Sequence, residues 1–248
     1  MDFLFSYYSN SPARLRRWHP GAGVALLGDT GPRGTWRHHA AVVGGGVALD
    51  TGAYLAQRGA TVAFVRDLLA ATASRPPHLG CFGLHEWAMV YRQPADRVRH
   101  DGWPLRLGSV GTDAVVEEHP VRCSHFDAFR FFTPAAVPRN STQLRREDQV
   151  ATEQPGCVHA TMDLYKWAYK LGPAVPGELL LDCFELACRA REVDMRAAPY
   201  DLRDLGYQPI RVETAAGRAE YAAAQRCLTA AAAPLRGRLV DVCERLLA

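Results

Sequence analysis

The sequence predicts an α+β fold, predominantly α-helical, with a small N-terminal antiparallel hairpin or meander. Three observations predict it: short apolar runs split by glycine before residue 50, a change to helix-period apolar spacing from Asp50 onward, and long helix-period segments through the C-terminal half. Hydrophobic residues make up 48% of the chain and charged residues 22%, well away from the composition of disordered chains, so a real core is expected. A chain of 248 residues suffices for one globular domain, 1–248.

Taken in order, residues 1–20 carry Phe3, Phe5, Tyr7 and Tyr8 and then Arg14, Arg16, Arg17 and Trp18, a short amphipathic segment that Pro20-Gly21 ends. GVALLGD at 23–29 and HHAAVVGGGVALD at 38–50 are β-friendly runs interrupted by glycine, the pattern of a hairpin. Leu55, Val62, Val65, Leu68 and Leu69 recur at helical spacing until Arg75-Pro76-Pro77, predicting a helix over 52–74. Gly80 and Gly83 lead into a second, shorter helix from Leu84 to Tyr91, ending before Pro94. AVVEEHPVRCSH at 114–125 is expected to be one extended element, with Pro120 placing it at an edge or bulge. The stretch 133–148, broken by Pro134, Pro138 and Asn140, is expected to be a surface connection suited to a lid. Helices are predicted over 156–171, over 176–194 with Pro176 in the first turn, and over 214–247 with a bend at Pro234.

Charge and cysteine usage narrow the function classes. Lys and Arg total 29 against 26 Asp and Glu, a net charge of +3. A protein that tracks a duplex needs a cation near each phosphate, so this surplus permits DNA as a partner without indicating it. Seven cysteines, an odd number with no CxxC pair, suggest cytosolic thiols rather than a disulfide framework. The N-terminus lacks the pattern of a signal peptide, and no apolar run reaches the roughly 18 residues that span a bilayer. The expectation is a cytoplasmic protein with no membrane partner.

The chemistry is expected between residues 79 and 170. His85 in CFGLHEW, His125 in CSHFD and His159 in CVHATMD each have a carboxylate within four residues. If 123–127 is extended, His125 and Asp127 share a face; if 157–170 is helical, His159, Asp163 and Trp167 share one, and Asp163 reaches Lys166 or Lys170. Imidazole beside carboxylate suits either a metal site or a general acid/base pair. The candidate ligands are therefore His85, His125, Asp127 and His159, with iron or zinc as the cofactor. The candidate catalytic groups are Asp163, Asp127 and His159. His-x-Asp followed by a later His is also the ligand order of non-haem iron oxygenases, although those use a β scaffold that this chain lacks. Asp182 and Glu185, flanked by apolar residues, are expected to point inward and support the histidines. Trp87, Tyr91, Phe129 and Trp167, with Lys166, form a candidate substrate-binding set for a planar ligand or an extruded base. The plainer reading is that the histidines hydrogen-bond within the core, that the aromatics build it, and that the cysteines are buried thiols. No GxSxG elbow, HExxH helix or GxGxxG loop occurs.

Over most of residues 2–245, and most distinctly at GCFGLHEWAMVYR, RCSHFDAFRFFTP, EQPGCVHATMDLYKWAYKL and DCFELACRAREVDMRAAPYDL, the chain resembles an actinobacterial family labelled 3-methyladenine DNA glycosylase. The resemblance implies a hydrolase of DNA repair that removes an alkylated purine from flipped-out DNA. The aromatics would sandwich the base, and a carboxylate would stabilise the oxocarbenium ion or activate water. The chain has no glycine-rich hairpin of the helix-hairpin-helix kind, so no catalytic position transfers from that motif; Asp163 and Asp127 are the candidates. The sequence thus supports three readings: a DNA glycosylase, a metal-dependent enzyme acting on a small metabolite (a non-haem iron oxygenase or a metal-assisted hydrolase), and a non-catalytic binding protein for a planar ligand.

Overall fold

The structure, a computed structural model, describes residues 2–94 and 102–248. It is predominantly helical with one small antiparallel hairpin. In chain order the elements are α1 (Asp2–Tyr7), α2 (Pro12–Leu15), β1 (His39–Ala41), β2 (Val47–Leu49), α3 (Thr51–Ala73), α4 (Leu84–Ala88), α5 (Gly108–Glu118), α6 (Phe126–Phe129), α7 (Gln149–Thr152), α8 (Val158–Lys170), α9 (Gly177–Ala197) and α10 (Ala215–Leu247). Single 3-10 turns punctuate the connections.

The hairpin and the long helices lie where the sequence predicts them. β1 and β2 pair with His39 opposite Leu49 and Ala41 opposite Val47, and Leu26 bridges to Val47. Gly46 sits at φ +127, and a Cβ there would meet the Leu26 carbonyl at 2.3 Å, so only glycine lets this strand pass so close. Pro234 lies inside α10.

Residues 114–125 do not form one extended element; the extended part begins at His119, and Val121 makes an isolated bridge to Asn140. Residues 114–118 belong to α5, whose buried face is Thr112, Val115 and Val116. The β-branched pair at 115–116 suggested a strand, but packing of that face overrides propensity. The helix stops at His119, which adopts φ −120 and ψ 136, the extended conformation that a following proline imposes. The second helix is also shorter than predicted: it ends at Ala88, and turns carry the chain to Arg92.

The chain forms two compact units. The first comprises Met1–Ala73, Met162–Cys188 and Ala232–Ala248, the second Ser74–Thr161 and Arg189–Ala231. In the first unit, the buried stripe Val62, Val65, Leu68 and Leu69 of α3 supplies core alongside Leu164, Leu171 and Leu179. Tyr54 donates to the Leu171 carbonyl at 2.8 Å, which places a hydroxyl in that core without leaving it unsatisfied. In the second unit, Leu84, Trp87, Val116, Val121, Ala197, Val212 and Tyr221 are buried. Trp87 donates its indole N–H to the Ala197 carbonyl at 2.8 Å. Gly83 caps α4 at φ +73, and a Cβ there would lie 3.0 Å from that of Ala197; the missing side chain lets α4 seat closely against the end of α9. Among the described residues no helix is long and apolar enough to cross a membrane.

Candidate metal centre

The second unit brings His85, His125 and His159 together. The His85 and His159 rings meet edge to face with centroids 4.5 Å apart, and His159 lies 5.4 Å from His125. All three are buried. His85 is placed by α4, His125 by the residue that begins α6, and His159 by the first turn of α8.

Carboxylates complete the cluster: Glu86, the acidic neighbour of His85 in sequence, and Asp194, which the sequence reading did not single out. One ligand-type atom from each of His85, Glu86, His159 and Asp194 lies within 4.8 Å of the others. His85 Nε2 is 2.9 Å from Asp194 Oδ1, and its Nδ1 is 3.4 Å from Cys81 Sγ. Arg191 donates to Asp194 Oδ2 at 2.8 Å and lies 3.8 Å from Glu86. His125 Nε2 is 3.4 Å from Glu153 Oε1, which also accepts from Gln149 at 2.5 Å. Two backbone carbonyls of the same segment, those of Val150 and Glu153, accept from Arg75 at 2.7 Å, so the Glu153 turn is tied down.

Electrostatics follow from burial and partners. Burial opposes charge on His85, but the Asp194 carboxylate, helped by Cys81, outweighs it and holds the imidazole well above its ordinary range. Burial likewise opposes charge on Asp194, and His85 with His159 and Arg191 overcomes it, holding the carboxyl well below its ordinary range. Burial pushes the Cys123 thiol up to about 12 and the Cys157 thiol well above its usual value, so both are neutral thiols. Within the cluster, Glu86, Glu153 and Asp194 are three buried carboxylates, and Arg191 is the guanidinium that reaches two of them. Protonated imidazoles or a divalent cation would balance the remainder.

The donor set suits such a cation. Imidazole nitrogen and carboxylate oxygen bind iron and zinc. Two such ligands on one ion, each about 2.1 Å from it, lie about 3 to 4 Å apart. The 2.9 Å between His85 Nε2 and Asp194 Oδ1 is a hydrogen-bond contact just short of that range.

Several predicted site residues have partners of their own. His125 precedes α6 with an extended backbone while Asp127 is within it, so the alternation that would align them does not exist. Asp127 instead faces Arg130 at 3.4 Å. Trp87 and Tyr91 are fully buried, Trp87 bonded to backbone and Tyr91 donating to Glu117 at 2.8 Å. Phe129 stacks on Phe132 in the core. Asp163, on the helix that carries His159, accepts from Tyr8 at 2.9 Å and Lys166 at 2.8 Å. Trp167 packs against Phe64 beneath the Lys166 and Lys170 ammonium groups. Asp182 pairs with Arg238 at the surface and Glu185 is exposed, so neither supports the histidines.

Asp194 is the residue that sequence reasoning missed, because it stands in the charged run REVDMR. The available signal was its helical phase: Ala190, Asp194 and Ala197 fall four and three residues apart and are all fully buried. Glu153 gave no signal beyond its spacing from Gln149. No protein-family model, no curated protein and no solved structure matches the chain.

Proposed function

We propose that the chain is a metal-dependent enzyme of the metal-assisted hydrolase class, acting on a small metabolite, with an iron or zinc ion held by His85, His159, Glu86 and Asp194. The observation that carries this reading is the convergence of those four buried ligand-type side chains, from three separated segments, within 4.8 Å. When bound, the ion would supply Lewis acidity and a lowered pKa for a coordinated water. Arg191 orients Asp194 and offsets part of the carboxylate charge. His125 and Glu153 form an imidazole–carboxylate pair beside His159, positioned to hold and pass a proton, and Gln149 fixes the Glu153 oxygen toward it. Burial of all these groups restricts the site to small substrates.

The glycosylase implied by the resemblance, and the planar-ligand binder, both need aromatic faces open to a base or ring. Trp87 and Tyr91 are buried to 0% and 1% exposure, so the site supports the metal reading better. The test is elemental analysis of protein purified without a metal-binding tag, alongside His159→Ala and Glu86→Gln. Near-stoichiometric iron or zinc that both substitutions remove is expected. A metal-free protein that takes up neither ion from solution would overturn the proposal, and release of alkylated bases from methylated DNA would then be the assay to run.

A further inference from the structure

The first unit holds a cavity of about 260 Å³ whose wall includes Arg14, Arg17, Arg37, His19, His39 and Trp36. Among the described residues no aspartate or glutamate lines it. Arg37 reaches the neutral side chain of Gln57, and Arg17 lies over the Trp36 ring at 5.9 Å. Among the described residues none of the three arginines has a carboxylate partner. This concentration of charge is hidden in the whole-chain total of +3.

His19 is the second, independent observation. It is 7% exposed, and its Nδ1 is buried without a hydrogen-bond partner. The segment that carries it is fixed: Gly177 donates its backbone N–H to the His19 carbonyl at 2.9 Å, and Trp18 donates to Glu178 at 2.7 Å. Burial, reinforced by His39 and Arg33 and opposed by Glu178, lowers the imidazole pKa to about 4, so the ring is neutral at pH 7. A neutral ring in the cavity wall adds no charge of its own, and a bound anion would favour its protonation.

We infer that this cavity binds the phosphoryl group of a small phosphomonoester, with Arg14, Arg17 and Arg37 holding its oxygens beside the His19 ring. Guanidinium groups present forked donors that match phosphate oxygens. The volume equals the liquid share of about nine waters, which leaves room for an organic body beyond the phosphate, and Trp36 and Tyr169 offer it aromatic walls. The arginines converge on one partly open pocket, whereas a nucleic-acid surface would track successive phosphates, so a small ester is favoured over a strand. The inference uses no residue of the metal centre.

The experiment follows the His19 ring by NMR while inorganic phosphate, phenyl phosphate or a short single-stranded DNA without terminal phosphates is added. Circular dichroism checks that each variant is folded. Both phosphates should shift His19 saturably and raise its pKa, phenyl phosphate at lower concentration. Arg17→Ala and Arg37→Ala should each weaken binding about tenfold, the size expected for one charge-assisted contact. Chloride should not reproduce the shift. The inference is overturned by an absent or non-saturable response, by an equal response to chloride, by folded Arg17→Ala and Arg37→Ala variants that bind as the unmodified protein does, or by DNA that competes for His19 more tightly than phenyl phosphate.

Discussion

His85 in the second unit and His19 in the first are buried to a similar degree, 2% and 7% exposed, yet their proton affinities move in opposite directions. At His85 the adjoining Asp194 carboxylate defeats the penalty of burial and the ring holds its proton. At His19 burial is reinforced by His39 and Arg33 and opposed by Glu178, and the ring stays neutral. The difference teaches that partner charge, not depth, decides what a buried imidazole is for. A histidine gripped by a carboxylate keeps a proton that a cation would have to displace, while a neutral one among arginines adds no charge to theirs.

The largest expected effect tests the first half of that contrast. Asp194→Ala leaves His85 and Arg191 facing a void, and urea unfolding should show a loss of about 3–5 kcal/mol, the usual result of removing one partner from a buried ion pair. A loss below about 1 kcal/mol would break the claim that Asp194 sets the charge of His85.

The acid limb of stability tests the second half. His19 has its pKa lowered from 6.5 to about 4, so the unfolded chain takes up this proton first. The contribution is therefore complete above pH 6.5 and is lost as pH falls toward 4, by on the order of 3 kcal/mol at most. Unfolding free energies measured between those pH values should fall in the unmodified protein. They should fall less steeply in His19→Gln, and equal slopes would remove the contrast.

Two arginine–carboxylate pairs extend the comparison to weaker effects. Arg106 grips Glu213 through two bonds of 2.7 and 2.8 Å and is largely buried. Because lysine cannot make the fork, Arg106→Lys should lower thermal stability by about 1–2 kcal/mol. Asp182 and Arg238, each about half exposed, also meet at 2.8 Å, yet Asp182→Ala should change stability by less than about 1 kcal/mol. Similar distances with unequal costs would carry the lesson of the two histidines to fixed charges.

Much of the fold was legible because its signals are local. The stripe Val62, Val65, Leu68 and Leu69 has a helical period within one segment, and the glycines at 44–46 mark a hairpin turn. The segment 114–118 was misread because Val115 and Val116 favour strands until a partner face covers them. The same distinction governs the site. His85, His125 and His159 stood out through their neighbours in sequence, and the structure does gather them. Asp127 stood out in the same way and was left aside, because its link to His125 assumed an extended backbone that α6 replaces. Asp194 and Glu153 join only through tertiary packing, and a carboxylate in a charged run carries no local mark of being buried.

The pairing of His85 with Asp194 spans 109 residues of chain. At a synthesis rate of roughly 5–20 residues per second, the ribosome adds Asp194 about 5–20 seconds after His85. Until then His85 and Glu86 exist on a nascent chain with neither Asp194 nor Arg191 to meet. Closure of the cluster therefore waits on residues made well after His85 and Glu86.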